Sequence, residues 1–198
     1  GERFVDEGED VRNHTYVRFG REIMGQPFRT AIQIFDQKTI PLLRDEYRIK
    51  QVTKYTANTI EELAGELEIN PQSLKATVKE FNGACQSGDF NPSILDGLTT
   101  QGLAIDKTNW ALAIDEPPFE AYVTTTGITF TFGGLRINEC GETQDLSDRS
   151  IPGLYAAGEL VGGLFFENYP GGSGLTAGTV FGKLAGENAA AYAVSNAT

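Results

Sequence analysis

Apolar and polar positions along residues 59–85 follow a helical rhythm. Thr59-Ile60-Glu61-Glu62-Leu63 predicts a short helix to about Glu68. Thr59 stands at the N-cap and Glu62 three residues on, so each side chain can bind the other's backbone N–H. Asn70-Pro71 predicts a second start, an N-cap followed by a proline whose missing N–H costs nothing there. Leu74, Val78, Phe81 and Cys85 then recur on one helical face. Thr30 to Phe35 reads as a strand ending at Asp36. Farther on, Thr129-Phe130-Thr131-Phe132 is a β-prone run halted by Gly133-Gly134, and Leu135-Arg136-Ile137-Asn138 follows it. The apolar run Leu154 to Ala157, closing in Gly158-Glu159, predicts a short buried strand. Leu175, Val180, Phe181, Leu184 and Ala185 mark a closing helix, which the Ala-rich stretch to Ala193 favours by propensity.

Composition shifts near residue 127. Residues 1–126 hold 33 of the 43 charged residues, whereas residues 127–198 hold 14 of the 23 glycines. Charge-poor, glycine-rich chain suits closely approaching backbone, buried strands and a bound ligand. A boundary is therefore expected at or shortly after Glu116-Pro117-Pro118-Phe119, dividing the chain into residues 1–126 and 127–198. The 198 residues, 40% hydrophobic and 22% charged, fit a folded α+β chain. A formal charge of −11 argues against nucleic acid as the main partner. It does not oppose an anionic small substrate, because a pocket's local field can differ in sign from the whole. No apolar run reaches the roughly 18 residues of a membrane span. The lone His14 excludes multi-histidine metal sites, and Cys85 and Cys140 form no C-x-x-C pair. These counts predict no metal and point to a reducing, cytoplasmic location.

The loop Gly171-Gly172-Ser173-Gly174 feeding a helix is the most informative local feature. Free N–H groups at a helix N-terminus favour negative charge placed there. The acceptor can be a phosphate or the electron-rich edge of a flavin ring; the plainer alternative is a turn that lets the helix pack closely. Gly133-Gly134 and Gly162-Gly163 add two further glycine turns, consistent with one ligand approached by backbone or with a compact sheet. Glu159, an acid at the end of an apolar run, wants a hydroxyl or N–H partner. Tyr169 offers a hydroxyl donor to a substrate or packs under the loop. Glu7 and Arg12 form a proton-transfer pair or carboxylate clamp, or else surface ion pairs. His14 binds a carboxylate, acts as base, or is structural. Trp110 is most simply a core aromatic.

Ile151-Pro152-Gly153-Leu154-Tyr155-Ala156-Ala157-Gly158-Glu159, then Gly162-Gly163 and Gly171-Gly172-Ser173-Gly174-Leu175, resembles the C-terminal end of the fumarate reductase/succinate dehydrogenase flavoproteins. Gly1 to Glu7 resembles that family's strand entering its capping domain. Val5-Asp6-Glu7-Gly8-Glu9-Asp10, Lys107-Thr108-Asn109-Trp110, Gly127 to Gly134 and Asn168-Tyr169-Pro170-Gly171-Gly172 are closest to the tricarballylate dehydrogenase-like branch. The resemblance implies a capping domain over residues 1–126 and, over 127–198, the C-terminal segment of a Rossmann-like FAD-binding domain. It implies FAD as cofactor and a missing N-terminal half carrying the G-x-G-x-x-G loop, so this chain alone is expected to be inactive. By position, Thr131, Glu159, Gly174 and Leu175 would contact FAD; Phe130, Gly172 and His14 are the candidate substrate contacts, and Tyr169, Glu7 and Arg12 the candidate catalytic residues. The substrate histidine of fumarate reductases falls at Phe130, the arginine before the glycine loop at Tyr169, and the cap arginine near Ile40.

These departures count against fumarate reduction by the usual proton relay. The expectation is an FAD-dependent dehydrogenase that desaturates a C–C bond of a polycarboxylate such as tricarballylate, passing electrons to an unknown acceptor. A tyrosine before the glycine loop also resembles the 3-ketosteroid dehydrogenases, which makes a ketosteroid-like or other carbonyl substrate the alternative. A cap-like binding module without redox activity is the third.

Overall fold

The first sheet is assembled on its last strand. In the computed structural model, which describes residues 1–197, β1 (Thr30–Phe35) and β2 (Lys54–Ala57) both pair antiparallel with β3 (Phe119–Thr125). Ile34 and Tyr55 flank Ala121 from opposite sides, and Gln33 and Lys54 flank Tyr122. Alternation along β3 sends Phe119 and Ala121 to one face and Glu120 and Tyr122 to the other. Against the first face lie α2 (Ile60–Glu66) and α3 (Pro71–Ala84), which bury Ile60, Leu63, Ala64, Leu74 and Val78 with Phe119 and Ala121. Both predicted helix starts form. Thr59 and Glu62 close the reciprocal cap, and Asn70 Oδ1 accepts from the Ser73 N–H at 3.0 Å. The helix α1 (Arg12–Met24) precedes β1.

Asp36, only 1% exposed, ties the end of β1 to the approach of β3. Its Oδ2 accepts from the N–H groups of Asp115 at 3.2 Å and Glu116 at 3.3 Å, and Lys38 bridges it to the Asp115 carboxylate. Burial alone would raise the Asp36 pKa. The Lys38 ammonium and the two backbone donors together outweigh it and hold the carboxyl below its ordinary range.

By Cα packing the chain divides into two units, Gly1–Thr126 and Gly127–Thr198. The second contains a short hairpin, β4 (Glu142–Gln144) with β5 (Ser150–Tyr155), and a 23-residue helix, α4 (Ser173–Ser195). Among its described residues the buried apolar side chains are Ala156, Val161 and Ala185, whereas Ile128, Phe166, Leu175 and Val194 are at least 80% exposed. A long helix with apolar residues around its circumference normally lies inside a larger core.

Three sequence expectations are corrected. Gly1–Glu7 joins no sheet; Arg3, Asp6 and Gly8 instead bind residues 105–109 through hydrogen bonds. Thr129–Phe132 and Leu135–Asn138 form no strands beyond isolated bridges such as Leu135 with Val161, because β propensity without a continuous ladder partner does not make a strand. The run at Leu154 lies in a strand that begins earlier, at Ser150, and is mostly exposed; burial is reached at Ala156.

Candidate functional site

Two of the three glycine turns meet each other. The Leu135 N–H donates to the Leu160 carbonyl at 2.8 Å, and the Gly162 N–H returns to the Leu135 carbonyl at 3.0 Å. A Cβ on Gly134 would fall on the Leu160 carbonyl and 2.8 Å from the Gly162 nitrogen, so close main-chain approach explains both glycine pairs. The approach brings Thr131 to Glu159: the Thr131 N–H donates to Glu159 Oε1 at 3.2 Å.

Around Thr131 the neighbouring rings collect. Phe130 and Tyr169 meet edge to face with centroids 4.3 Å apart, and Phe132 and Phe165 stand 5.4 and 5.8 Å from Phe130. All four rings are half-buried. The three cations of the second unit are held elsewhere by carboxylates: Arg136 by Asp148, Arg149 by Asp145 and Lys183 by Glu187.

The third glycine turn is open. Gly172 caps α4 at φ 82°, a left-handed conformation that favours glycine. The Pro170 carbonyl accepts from the Ser173 N–H at 3.1 Å, and the Gly172 carbonyl accepts from Thr176 at 3.1 Å. Gly174 and Leu175 lie in the first turn, where N–H groups have no intrahelical acceptor. A Cβ added at Gly171, Gly172 or Gly174 would meet nothing within 4 Å. The loop borders a cleft of about 550 Å³ lined by Leu164, Phe165, Thr176, Ala177 and Val180. Gly178 of α4 lies against Gly158, so the helix start and the Glu159 turn share one neighbourhood. Unclaimed backbone donors at the positive end of a long helix, beside an apolar cleft and a carboxylate, fit a flavin: ring against apolar wall, electron-rich edge on N–H groups, hydroxyls on Glu159.

In the first unit the sequence candidates take separate partners. Glu7 is gripped by Arg3, with Nε to Oε1 at 3.0 Å and Nη2 to Oε2 at 2.6 Å, not by Arg12. Arg3 is itself fixed by the Ile105 carbonyl at 2.5 Å and by the Phe81 ring, 5.2 Å beneath its guanidinium. Arg12 stands exposed at the start of α1. His14 Nδ1 lies 3.1 Å from Asp10 Oδ2, and this contact together with the Val11 N–H holds the Asp10 carboxyl low.

Sequence reasoning missed Arg3, Phe165 and Lys107. Burial holds the Lys107 ammonium below the ordinary lysine range, while the Glu7 carboxylate opposes that shift. The i, i+4 spacing of Arg3 and Glu7 was a visible signal, but no helix was there to give it meaning. Nothing local marks Phe165, and Lys107 stands out only as part of the Lys107-Thr108-Asn109-Trp110 motif.

Comparison with known proteins gives the family. The FAD binding domain family matches residues 1–175. A probable fumarate reductase of Shewanella frigidimarina, Ifc3, is 31% identical over 175 residues, 87% of this chain and 27% of that protein. The open conformation of a flavocytochrome c3 fumarate reductase superposes with a TM-score of 0.74 at 30% identity, covering 98% of this chain and 31% of that one. A 3-ketosteroid Δ1-dehydrogenase from Sterolibacterium denitrificans gives 0.68 at 25% identity over 96% of this chain and 37% of its own. The chain thus spans about a third of the length of these relatives. With 175 residues matched and an open glycine loop suited to a flavin, the chain belongs to the FAD binding domain family, and FAD is its cofactor.

Proposed function

We propose that this chain is part of an FAD-dependent oxidoreductase that desaturates a C–C bond of a polycarboxylate such as tricarballylate. The observation that carries this is the open glycine loop, with the Gly174 and Leu175 N–H groups at the start of α4 beside Glu159. Bound there, FAD supplies two-electron hydride chemistry. Gly174 and Leu175 would offer backbone N–H groups to the electron-rich edge of the flavin ring, Thr131 would contact the ring, and Glu159 would accept from ribityl or ribose hydroxyls. Tyr169 donates its hydroxyl to a substrate carbonyl or carboxylate, with Phe130 and Gly172 against the substrate body. On the first unit, Arg12 and His14 bind carboxylate and Glu7, oriented by Arg3, holds the proton removed beside the new double bond. Residues 1–126 act as the cap and 127–198 as a segment of the FAD-binding domain. The exposed apolar side chains of α4 pack against the remainder of that domain, which is the partner proposed for them.

One observation favours a second reading, a cyclic or otherwise carbonyl-activated substrate. The cluster of Phe130, Phe132, Phe165 and Tyr169 contains no cation, and the second unit's three cations are already held by carboxylates. An aromatic wall with one hydroxyl suits a flat apolar body carrying one oxygen. Anaerobic mixing of the FAD-loaded protein with tricarballylate and, separately, with a 3-ketosteroid tests both. Flavin bleaching by tricarballylate supports the first reading and bleaching by the steroid alone supports the second. A full series of saturated polycarboxylates and cyclic ketones without bleaching would overturn both.

A further inference from the structure

In the second unit, the segment that leads into α4 is fixed at both ends. The Gly163 N–H donates to the Phe132 carbonyl at 3.2 Å, and the Pro170 carbonyl accepts from the Ser173 N–H and hydroxyl. Between these anchors lies a tight turn. The Asn168 N–H donates to the Phe166 carbonyl, two residues back, at 2.7 Å, with Glu167 at φ 62°. A three-residue turn closed in this way around a positive φ is a rare and strained form. The left-handed positions on either side, Gly163 and Gly172, are glycines, which take this region freely. Glutamate does not, and it lacks the tolerance of asparagine or aspartate. Such a residue persists only where its surroundings over-determine it.

The surroundings here converge on one ring. The turn reverses the chain, so the rings that flank it, Phe165 and Tyr169, meet with centroids 5.9 Å apart. Phe166, at the corner, is 86% exposed. Asn168 also holds the residue that follows it, because its Oδ1 accepts from the Tyr169 N–H at 2.8 Å. From the other side, Pro170 restricts Tyr169 to extended backbone. With its backbone held on both sides, the ring has a few staggered directions left, and Phe130 at 4.3 Å selects one.

We propose that Glu167 and Asn168 are positioning residues for Tyr169: the left-handed turn and the Asn168 carboxamide together fix the direction of its hydroxyl. The catalytic consequence rests on the reading of Tyr169 as the substrate's hydrogen-bond donor; the positioning itself does not. A donor aimed at developing charge works by being in place beforehand, and that is what a turn over-determined in this way supplies.

Fluorine NMR of the complete, FAD-loaded protein carrying 3-fluorotyrosine tests this. The Tyr169 line is assigned by its loss in Tyr169→Phe. Asn168→Ala removes the carboxamide, and Glu167→Val puts a β-branched residue where φ is positive. Each should shift or split that line; if Glu167→Val does not load with flavin, Asn168→Ala decides. Asn168→Asp keeps the Oδ1 acceptor and Glu167→Gly takes the turn without strain, so both should leave the line in place. In Asn168→Ala, flavin reduction by whichever of tricarballylate or the 3-ketosteroid bleaches the wild type should slow at least about tenfold, since a misplacement of about 1 Å can cost 10²-fold. In the Tyr169→Phe background the same substitution should add nothing. A line unmoved by Asn168→Ala would overturn the proposal, as would equal displacement by Glu167→Gly and Glu167→Val. A displaced line with wild-type reduction rates in both Asn168→Ala and Tyr169→Phe would uphold the positioning and overturn the donor reading.

Discussion

The Thr131 N–H and the Glu159 carboxylate are joined at 3.2 Å across 28 residues of chain. That bond is made possible by two glycine pairs whose backbones touch, Gly134 against Leu160 and Gly162. One oxygen of Glu159 is thereby fixed, while the other has no such anchor among the described residues.

Replacing Glu159 by alanine is expected to lower flavin content in the complete protein more than it slows the flavin that remains. A hydrogen bond to a charged group is worth about 1.5–3 kcal/mol, or roughly 10- to 150-fold in affinity. The ratio of visible flavin absorbance to protein after purification measures it. Full occupancy in the variant would leave Glu159 only the task of bracing Thr131.

Tyr169→Phe keeps the ring that meets Phe130 at 4.3 Å and removes the hydroxyl alone. Flavin content and thermal stability should hold, while reduction of the flavin by substrate slows at least about tenfold, below the 10²- to 10³-fold typical of a lost oxyanion donor. Stopped-flow absorbance is the measurement. A wild-type rate would assign the tyrosine to packing.

Gly8→Ala should destabilise the first unit. Gly8 is buried, its carbonyl accepts from Asn109 Nδ2 at 2.8 Å, and a Cβ there would fall on the Asn109 carbonyl and 2.7 Å from the Asn109 nitrogen. Forced overpacking typically costs about 1–3 kcal/mol. Urea unfolding followed by fluorescence of Trp110, the single tryptophan, should show a lower midpoint with an unchanged slope. An unmoved midpoint would mean that residues 1–8 are free to lift away.

Acid should weaken the first unit through Asp36. Its folded pKa lies below its unfolded value of about 3.9, so its contribution is complete above that value and is lost as pH falls through the folded pKa. Asp36→Asn should therefore be less stable than wild type at neutral pH, and the gap should narrow as pH drops below about 4. Midpoints measured across that range check it. A gap independent of pH would show that the charge on Asp36 contributes nothing.

What could be read before the structure was what short stretches decide by themselves. Thr59 with Glu62, and Asn70 with Pro71, start helices through groups three residues apart, and both formed. Thr30–Phe35 emerged as a strand with the expected ends. The helix α1 carried no such signal: Val11 offers no capping side chain, and Thr15 is its buried residue. Strands β2 and β3 were missed because a strand's partner, not its own pattern, makes it one, and here the partners lie 60 or more residues apart. In the site, Glu159 and the glycine loop stood out by local chemistry. The grip of Arg3 on Glu7 did not, since the Ile105 carbonyl that fixes the guanidinium comes from a distant stretch of sequence.

The placement of β3 between β1 and β2 also governs when the first unit can exist. Neither flanking strand touches the other, so a nascent chain that has passed residue 57 holds two strands with no ladder to join. Only when Phe119–Thr125 leaves the ribosome can all the pairings form, and they form together. Until then the apolar faces of α2 and α3 have no sheet to cover, an exposure typical of the interval in which chaperones engage a growing chain.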